Sequence, residues 1–195
     1  MQQVPLSVRD EVVKLLYADA DRLEWERLPD HRKAEQYQRW ADDTNIGRRL
    51  GDYTSDVHGW IKEIPLKEYS RALEGLGRFA KFTARGYTPA EEFLPRLLGG
   101  SWSIVAGSVG DRPTHCMATN GSGLRYVCWG KPKFFKDLLW AALNEGLDNR
   151  TTPLIIVCLR SDADIEPAMR RRHEIFGTRC GIGVTHLIRP ISQIR

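Results

Sequence analysis

The stretch 114–129, THCMATNGSGLRYVCW, decides the fold of this chain. Two runs with strand-forming composition, 114–119 and 124–129, flank the tetrapeptide Asn120-Gly121-Ser122-Gly123. Asn and Gly tolerate the positive φ angles that tight hairpin turns require. The sequence therefore predicts an antiparallel β-hairpin, and with it a β-sheet, in the second half of the chain.

Helices and strands are predicted on both sides of the hairpin. They are helices over 89–98, 134–147 and 165–176, and strands over 101–109, 153–159 and 183–188. The run 153–159, PLIIVCL, is apolar throughout, which is typical of a strand buried on both faces. The order α-β-β-β-α-β-α-β predicts an α+β or α/β domain over 88–195, with a mixed sheet flanked by helices.

Residues 1–87 have helical periodicity. Apolar side chains recur three and four residues apart over 8–23, and Ser7 precedes this run as a candidate N-cap. The pattern resumes over 33–41 and, after Pro65, over 66–82. Thr88 is a candidate cap for the next helix. We therefore predict an all-helical N-terminal domain that ends near residue 87.

The composition fits a soluble globular protein, with 28% charged and 42% hydrophobic residues. No segment approaches the roughly 20 apolar residues of a membrane-spanning helix, and no secretory signal is present, so we expect a cytoplasmic protein without a membrane partner. Residues 1–97 carry 16 Lys and Arg against 17 Asp and Glu, whereas residues 98–195 carry 13 against 8. This basic second half is compatible with a polyanionic partner.

Common cofactor and catalytic motifs are absent from the sequence. The four cysteines form no C-x-x-C pair, so the usual zinc patterns are missing. There is no G-x-x-x-x-G-K-[ST] loop, no G-x-G-x-x-G after a strand and no G-x-S-x-G elbow. We therefore expect no nucleotide cofactor, no resident metal and no serine-hydrolase chemistry.

Residues 43–62, DTNIGRRLGDYTSDVHGWIK, carry the most specific local pattern. A helix-turn-helix needs a small residue at the helix crossing and a glycine four positions later, which Gly47 and Gly51 supply. The segment resembles the bacterial helix-turn-helix family. The resemblance implies that the second helix enters a DNA major groove and that these residues face DNA: Arg48, Arg49, Tyr53, Thr54, Ser55 and His58. A plain α-hairpin, favoured by the acidic Asp52 and Asp56, is the alternative.

Residues 89–159 resemble a second family. Their order of helix, three-strand meander, helix and strand is similar to the core of the restriction-endonuclease-like, or PD-(D/E)XK, nucleases. In that family an Asp on one hairpin strand, and an acid two residues before a Lys on the next, hold Mg²⁺ to activate water. Asp111, which precedes the first hairpin strand, could occupy the first position, and Glu91 or Glu92 could add a carboxylate. The second strand, 124–129, has no acid, and Lys131 follows it.

A catalytically silent relative is one interpretation of the missing carboxylate. Such a domain would bind nucleic acid through Arg125, Lys131 and Lys133, with Trp129 as a stacking face. Arg125 and Trp129 belong to the second run, and Lys131 and Lys133 follow it at this end of the hairpin. The hairpin would then serve as a binding platform.

A metal-dependent nuclease with a non-standard site is the second interpretation. Asp111, His115 and Lys131 would converge as its catalytic residues, and Mg²⁺ would be its cofactor. In the third interpretation the domain has no link to nucleic acid.

Arg170, Arg171 and Arg172 form a candidate phosphate-binding ridge on the predicted helix 165–176. The leading hypothesis is a DNA-associated bacterial protein of genome defence or gene control, which binds duplex DNA and has a nuclease-like fold. Two alternatives stay open. One is a protein-interaction adaptor that docks a larger effector without touching nucleic acid, and the other is a transcriptional regulator that senses a ligand.

Overall fold

A computed structural model of the chain describes residues 4–149 and 151–193. The chain divides into two units, one of residues up to Tyr87 together with Ser192 and Gln193, the other Thr88–Ile191. The last described residues belong to the first unit because strand β8 (Ile191–Gln193) pairs with strand β1 (Arg85–Tyr87).

The first unit contains five α-helices within its described residues. They are α1 (Leu6–Arg22), α2 (Asp30–Asp42), α3 (Gly47–Gly51), α4 (Val57–Ile61) and α5 (Lys67–Ala72). A π-helical turn, Lys62–Leu66, joins α4 directly to α5. Large apolar side chains on these helices, including Leu16, Tyr17 and Leu50, are fully buried, so the helices share a core.

Local geometry ends some helices earlier than the sequence pattern predicts. The predicted helix over 66–82 is wrong beyond α5, because Gly75 and Gly77 adopt positive φ angles of 75° and 83°. The predicted helical N-terminal domain is confirmed, although it also contains the three-residue strand β1. Ser7 lies inside α1 rather than capping it, since Pro5 occupies the N-cap position.

A mixed sheet of six strands forms the centre of the second unit's described residues. The strands are β2 (Ser103–Ile104), β3 (Gly110–Asp111), β4 (Thr114–Thr119), β5 (Leu124–Gly130), β6 (Leu154–Leu159) and β7 (Gly183–Ile188). Their order is β2-β4-β5-β6-β7, with β3 also paired to β4. β4 is antiparallel to its neighbours, whereas β5, β6 and β7 are parallel to each other. The predicted hairpin and mixed sheet are confirmed.

Three helices cover the two faces of this sheet: α6 (Ala90–Leu98), α7 (Phe135–Asn149) and α8 (Pro167–Cys180). On one face Phe93 of α6 joins a core with Val127. On the other face Leu138 of α7 joins a core with Ile155. The sheet therefore lies between two helical layers, and β5 and β6 are buried on both faces.

The segment before the hairpin departs from the predicted pattern. The predicted strand over 101–109 is reduced to β2, because Gly107 turns the chain with a φ of 75°. Pro89, and not Thr88, occupies the N-cap position of α6. Among the described residues no helix is long and apolar enough to cross a membrane.

Candidate nucleic-acid interface

The carboxyl ends of β5 and β6 form the edge of the sheet at which the candidate interface lies. Lys131 follows β5 directly, and Arg160 follows β6. Because β5 and β6 are parallel and paired through Gly130 and Val157, both cations leave the sheet at one edge. Ligands commonly bind at the carboxyl edge of parallel strands. Arg160 was missed by the sequence reasoning, although its place after an apolar run was a usable signal.

Asp111 belongs to the same side of the hairpin as Lys131. Asp111 pairs with Thr114, which pairs in turn with Trp129 of β5. Lys131 has extended backbone angles, so the alternation of the strand continues and places it on the face of Trp129. Two of the three predicted catalytic residues therefore share a face of the sheet.

His115 does not join them. Successive residues of a strand point to opposite faces, so His115 of β4 lies on the face opposite to Thr114 and Asp111. Its ring lies 5.3 Å from the ring of Tyr126, on the side that α7 covers. The predicted convergence of His115 with Asp111 and Lys131 is wrong, because strand alternation separates the histidine from them.

This edge carries charges of both signs, since Arg160 forms an ion pair with Asp164 at 3.5 Å. Lys133 lies over the ring of the half-exposed Phe134, with Nζ 4.9 Å from the ring centroid. The strand β5 supplies no carboxylate that could share a metal with Asp111, and Glu91 and Glu92 are exposed in the first turn of α6. Within the described ranges, no three His, Cys, Asp or Glu side chains are grouped to hold a metal ion.

Arg125 lies at the other end of β5, about 20 Å along the strand from Lys131. Its guanidinium lies over the ring of Trp102, 5.3 Å from the centroid. The predicted stacking face, Trp129, is only 3% exposed and packs edge-on against Phe93 at 5.7 Å. That prediction is wrong because α6 covers β5, and Trp102 is the aromatic residue that the sequence reasoning missed.

The helix-turn-helix-like segment has a required glycine at its start. A Cβ atom on Gly47 would lie 1.8 Å from the carbonyl oxygen of Ala41, so a small residue is needed where α3 meets α2. Gly51 has no neighbour within 4 Å of such an atom and no left-handed φ. The turn between α3 and α4 therefore does not depend on Gly51.

The predicted recognition helix begins later than its pattern implied. α4 starts at Val57, and the Asp56 side chain caps it by accepting a hydrogen bond from the Gly59 amide at 2.8 Å. Tyr53 and Ser55 therefore lie in the preceding loop, half-buried and exposed respectively. Thr54 is buried in the same loop, so its predicted contact with DNA is wrong.

The cations of this segment have different surroundings. Arg48 is exposed on α3, while Arg49 forms an ion pair with Glu11 of α1. His58 is exposed on α4, and its ring packs edge-on against Tyr37 at 5.4 Å. Arg48 and His58 are thus the residues best placed to meet a ligand here.

The predicted arginine ridge is divided by an ion pair. Arg170 pairs with Asp162 at 2.9 Å, and both residues line a surface cavity of about 410 Å³. Arg171 and Arg172 are exposed and form no ion pair with any described residue. Arg171 lines the same cavity as Arg170, whereas Arg172 is not among the residues that line it.

Two histidines that the sequence did not link lie together between α8 and β7. His173 Nδ1 is 3.4 Å from His186 Nε2, and the His173 ring stacks on Phe135 at 3.8 Å. Burial lowers the pKa of both histidines, and the positive charge of Arg170 lowers the pKa of His186 further. The two histidines are thirteen positions apart in sequence, so no local pattern could have indicated the pair.

Comparison with protein-family models, curated proteins and solved structures gives no match to this chain.

Proposed function

We propose that this chain is a DNA-associated protein whose second unit is a non-cleaving relative of the restriction-endonuclease-like nucleases. The observation that carries the proposal is the basic carboxyl edge of β5 and β6. Lys131 and Arg160 lie there, Arg160 in an ion pair with Asp164, and β5 itself supplies no acid. Lysine and arginine side chains at this edge, with no acid on β5 to complete a metal site with Asp111, favour binding of phosphates over their cleavage.

The topology supports the same proposal. Helix α6, the meander of β2, β4 and β5, helix α7 and the parallel strand β6 follow in the order that the nuclease resemblance implies. Fold alone does not carry function, so the proposal depends on the charged residues at the edge. A role in bacterial genome defence or gene control follows from that resemblance.

A charge-neutralising pair of substitutions tests the site. We expect Lys131→Ala with Lys133→Ala to weaken binding to a random duplex about tenfold, because two charge-assisted phosphate contacts are lost. The matched control is Lys14→Ala with Lys67→Ala, which removes the same charge from exposed positions of the first unit. Fluorescence anisotropy gives both affinities. Equal weakening by the two pairs would contradict the assignment of the edge.

The first unit can contribute to the same complex through Arg48 and His58. Arg48→Ala should weaken binding to all sequences alike, because it removes a phosphate contact, whereas His58→Ala should change the preference between sequences. If the parent chain does not bind duplex DNA at low salt, the protein-interaction adaptor becomes the better account.

A further inference from the structure

The outer faces of α7 and α8 carry large exposed apolar side chains. On α7, Trp140 and Leu147 are 67% and 80% exposed, and on α8, Met169 and Phe176 are 43% and 44% exposed. The members of each pair are seven residues apart, so each pair forms a stripe about 10 Å long on one face of its helix. We call these the α7 stripe and the α8 stripe. Exposed apolar patches of this kind mark interaction surfaces.

Both stripes belong to one layer of the second unit. Phe135 of α7 stacks on His173 of α8, with ring centroids 3.8 Å apart. A Cβ atom on Gly177 would lie 2.4 Å from the Val184 side chain, which shows how closely α8 approaches β7. The two helices are therefore neighbours on one face of the sheet, and their outward sides form one surface.

Charges of opposite sign accompany the stripes. Asp137 and Asp148, three helical turns apart, lie along one flank of the α7 stripe, and Arg172 and Arg179, two turns apart, lie along one flank of the α8 stripe. All four side chains are exposed, and none forms an ion pair with another described residue. Each helix therefore presents an apolar row with charges of one sign along this flank, and on α7 the exposed Lys136 lies on the other side of the row.

From this pattern we propose that the two stripes form an interface between two copies of this chain. A two-fold axis places α7 of one copy against α8 of the other, and the same contact repeats across the axis. The apolar stripes have equal length, and each acidic flank then meets an arginine flank, where carboxylate–guanidinium pairs are strong. The surface is thus complementary to itself across the two-fold axis.

The same pattern disfavours an anionic occupant. A DNA backbone or an anionic lipid surface is attracted by Arg172 and Arg179 but repelled by Asp137 and Asp148 within one patch. Trp, Phe, Met and Arg are enriched in protein–protein interfaces. Dimerisation can be measured without DNA, so a failure of the dimer proposal can be distinguished from a failure of the proposed function.

Two charge-reversed variants of the full chain, measured alone and then mixed, test the proposal. Sedimentation velocity reports whether each sample is monomeric or dimeric. We expect the parent to dimerise with rising concentration. Arg172→Glu with Arg179→Glu makes both rows acidic, and Asp137→Arg with Asp148→Arg makes both rows basic, so each variant alone should be monomeric. Mixed together, the two variants should form a one-to-one heterodimer, because every acidic row then meets a basic row.

Circular dichroism verifies that each variant is folded, and the chain that carries all four reversals should dimerise again. A parent that is monomeric at every concentration overturns the proposal. Variants that dimerise as well as the parent overturn it too, as does a mixture that stays monomeric.

Discussion

At the scale of single residues, Asp21 is the buried carboxylate on which the first unit depends. Its oxygens accept hydrogen bonds from Tyr69 Oη at 2.6 Å, Thr83 Oγ1 at 2.8 Å and the Ala84 amide at 2.7 Å. These bonds tie α1 to α5 and to the segment before β1. Asp21→Ala leaves the donors unpaired, so we expect the free energy of unfolding in urea to fall by about 3 kcal/mol or more.

Tyr69→Phe is the matched comparison, since it removes one of these bonds and keeps the ring. We expect it to lower the free energy of unfolding by about 1 kcal/mol. Similar small losses for both variants would mean that the Asp21 cluster does not hold these elements together.

Gly47 and Gly51 give a second residue-scale prediction. Gly47→Ala forces a Cβ atom against the carbonyl of Ala41, which is backbone and cannot move aside, so we expect a loss of about 2 kcal/mol in the free energy of unfolding. Gly51→Ala meets open space at the end of α3 and should be neutral or slightly stabilising. Thermal or urea unfolding of both variants checks this, and equal stabilities would refute the packing argument.

At the scale of elements, the stacked histidines between α8 and β7 predict a dependence of stability on pH. Burial holds the pKa of His173 and His186 below the ordinary value of 6.5, so the folded state favours the neutral rings. As the pH falls below 6.5, the unfolded chain binds more protons than the folded one. We therefore expect the free energy of unfolding to decrease as the pH falls from about 7 toward the lowered pKa values.

Replacing both histidines by Gln should flatten this dependence, while His31→Gln, at an exposed position on α2, should leave it unchanged. The measurement is a series of urea titrations at pH values from about 7 down to the lowered pKa values. The same pH slope in the double variant and the parent would show that other groups cause it.

Local sequence signals predicted some elements well and others poorly. The hairpin and β6 follow from turn residues and an apolar run, which act within a few residues. The failures at the 66–82 helix and the 101–109 strand come from glycines, because Gly75 and Gly107 take positive φ angles that a periodic pattern does not reveal. The prediction that Thr54 contacts DNA was wrong because the burial of its loop depends on packing between elements, which a local pattern does not reveal.

At the scale of the whole molecule, the basic edge of the sheet predicts binding without cleavage. We expect the chain to leave supercoiled plasmid intact with Mg²⁺ or Mn²⁺, because one carboxylate with waters holds such an ion weakly. Gel electrophoresis after incubation is the measurement. Nicking by the parent that both Asp111→Ala and Lys131→Ala abolish would contradict the prediction and identify an active site around these two residues.

Sequence reasoning reached part of this edge. Asp111 and Lys131 could be placed together from the order of strands, because the hairpin register is set by its turn. The predictions for His115 and Trp129 were wrong for different reasons. Alternation along β4 places His115 on the other face of the sheet. Helix α6 covers β5 and buries Trp129. Arg160 comes to the edge only through the parallel pairing of β5 with β6, which is a long-range feature.

The affinity of the full chain for a random DNA duplex, measured at two salt concentrations, tests the proposed function most directly. Neutralised phosphates release counterions, so neutralisation of two phosphates predicts at least about a tenfold fall in affinity between about 50 and 200 mM salt. Absence of binding at the lower salt concentration, or an affinity that does not change with salt, would contradict the proposal that this protein binds DNA.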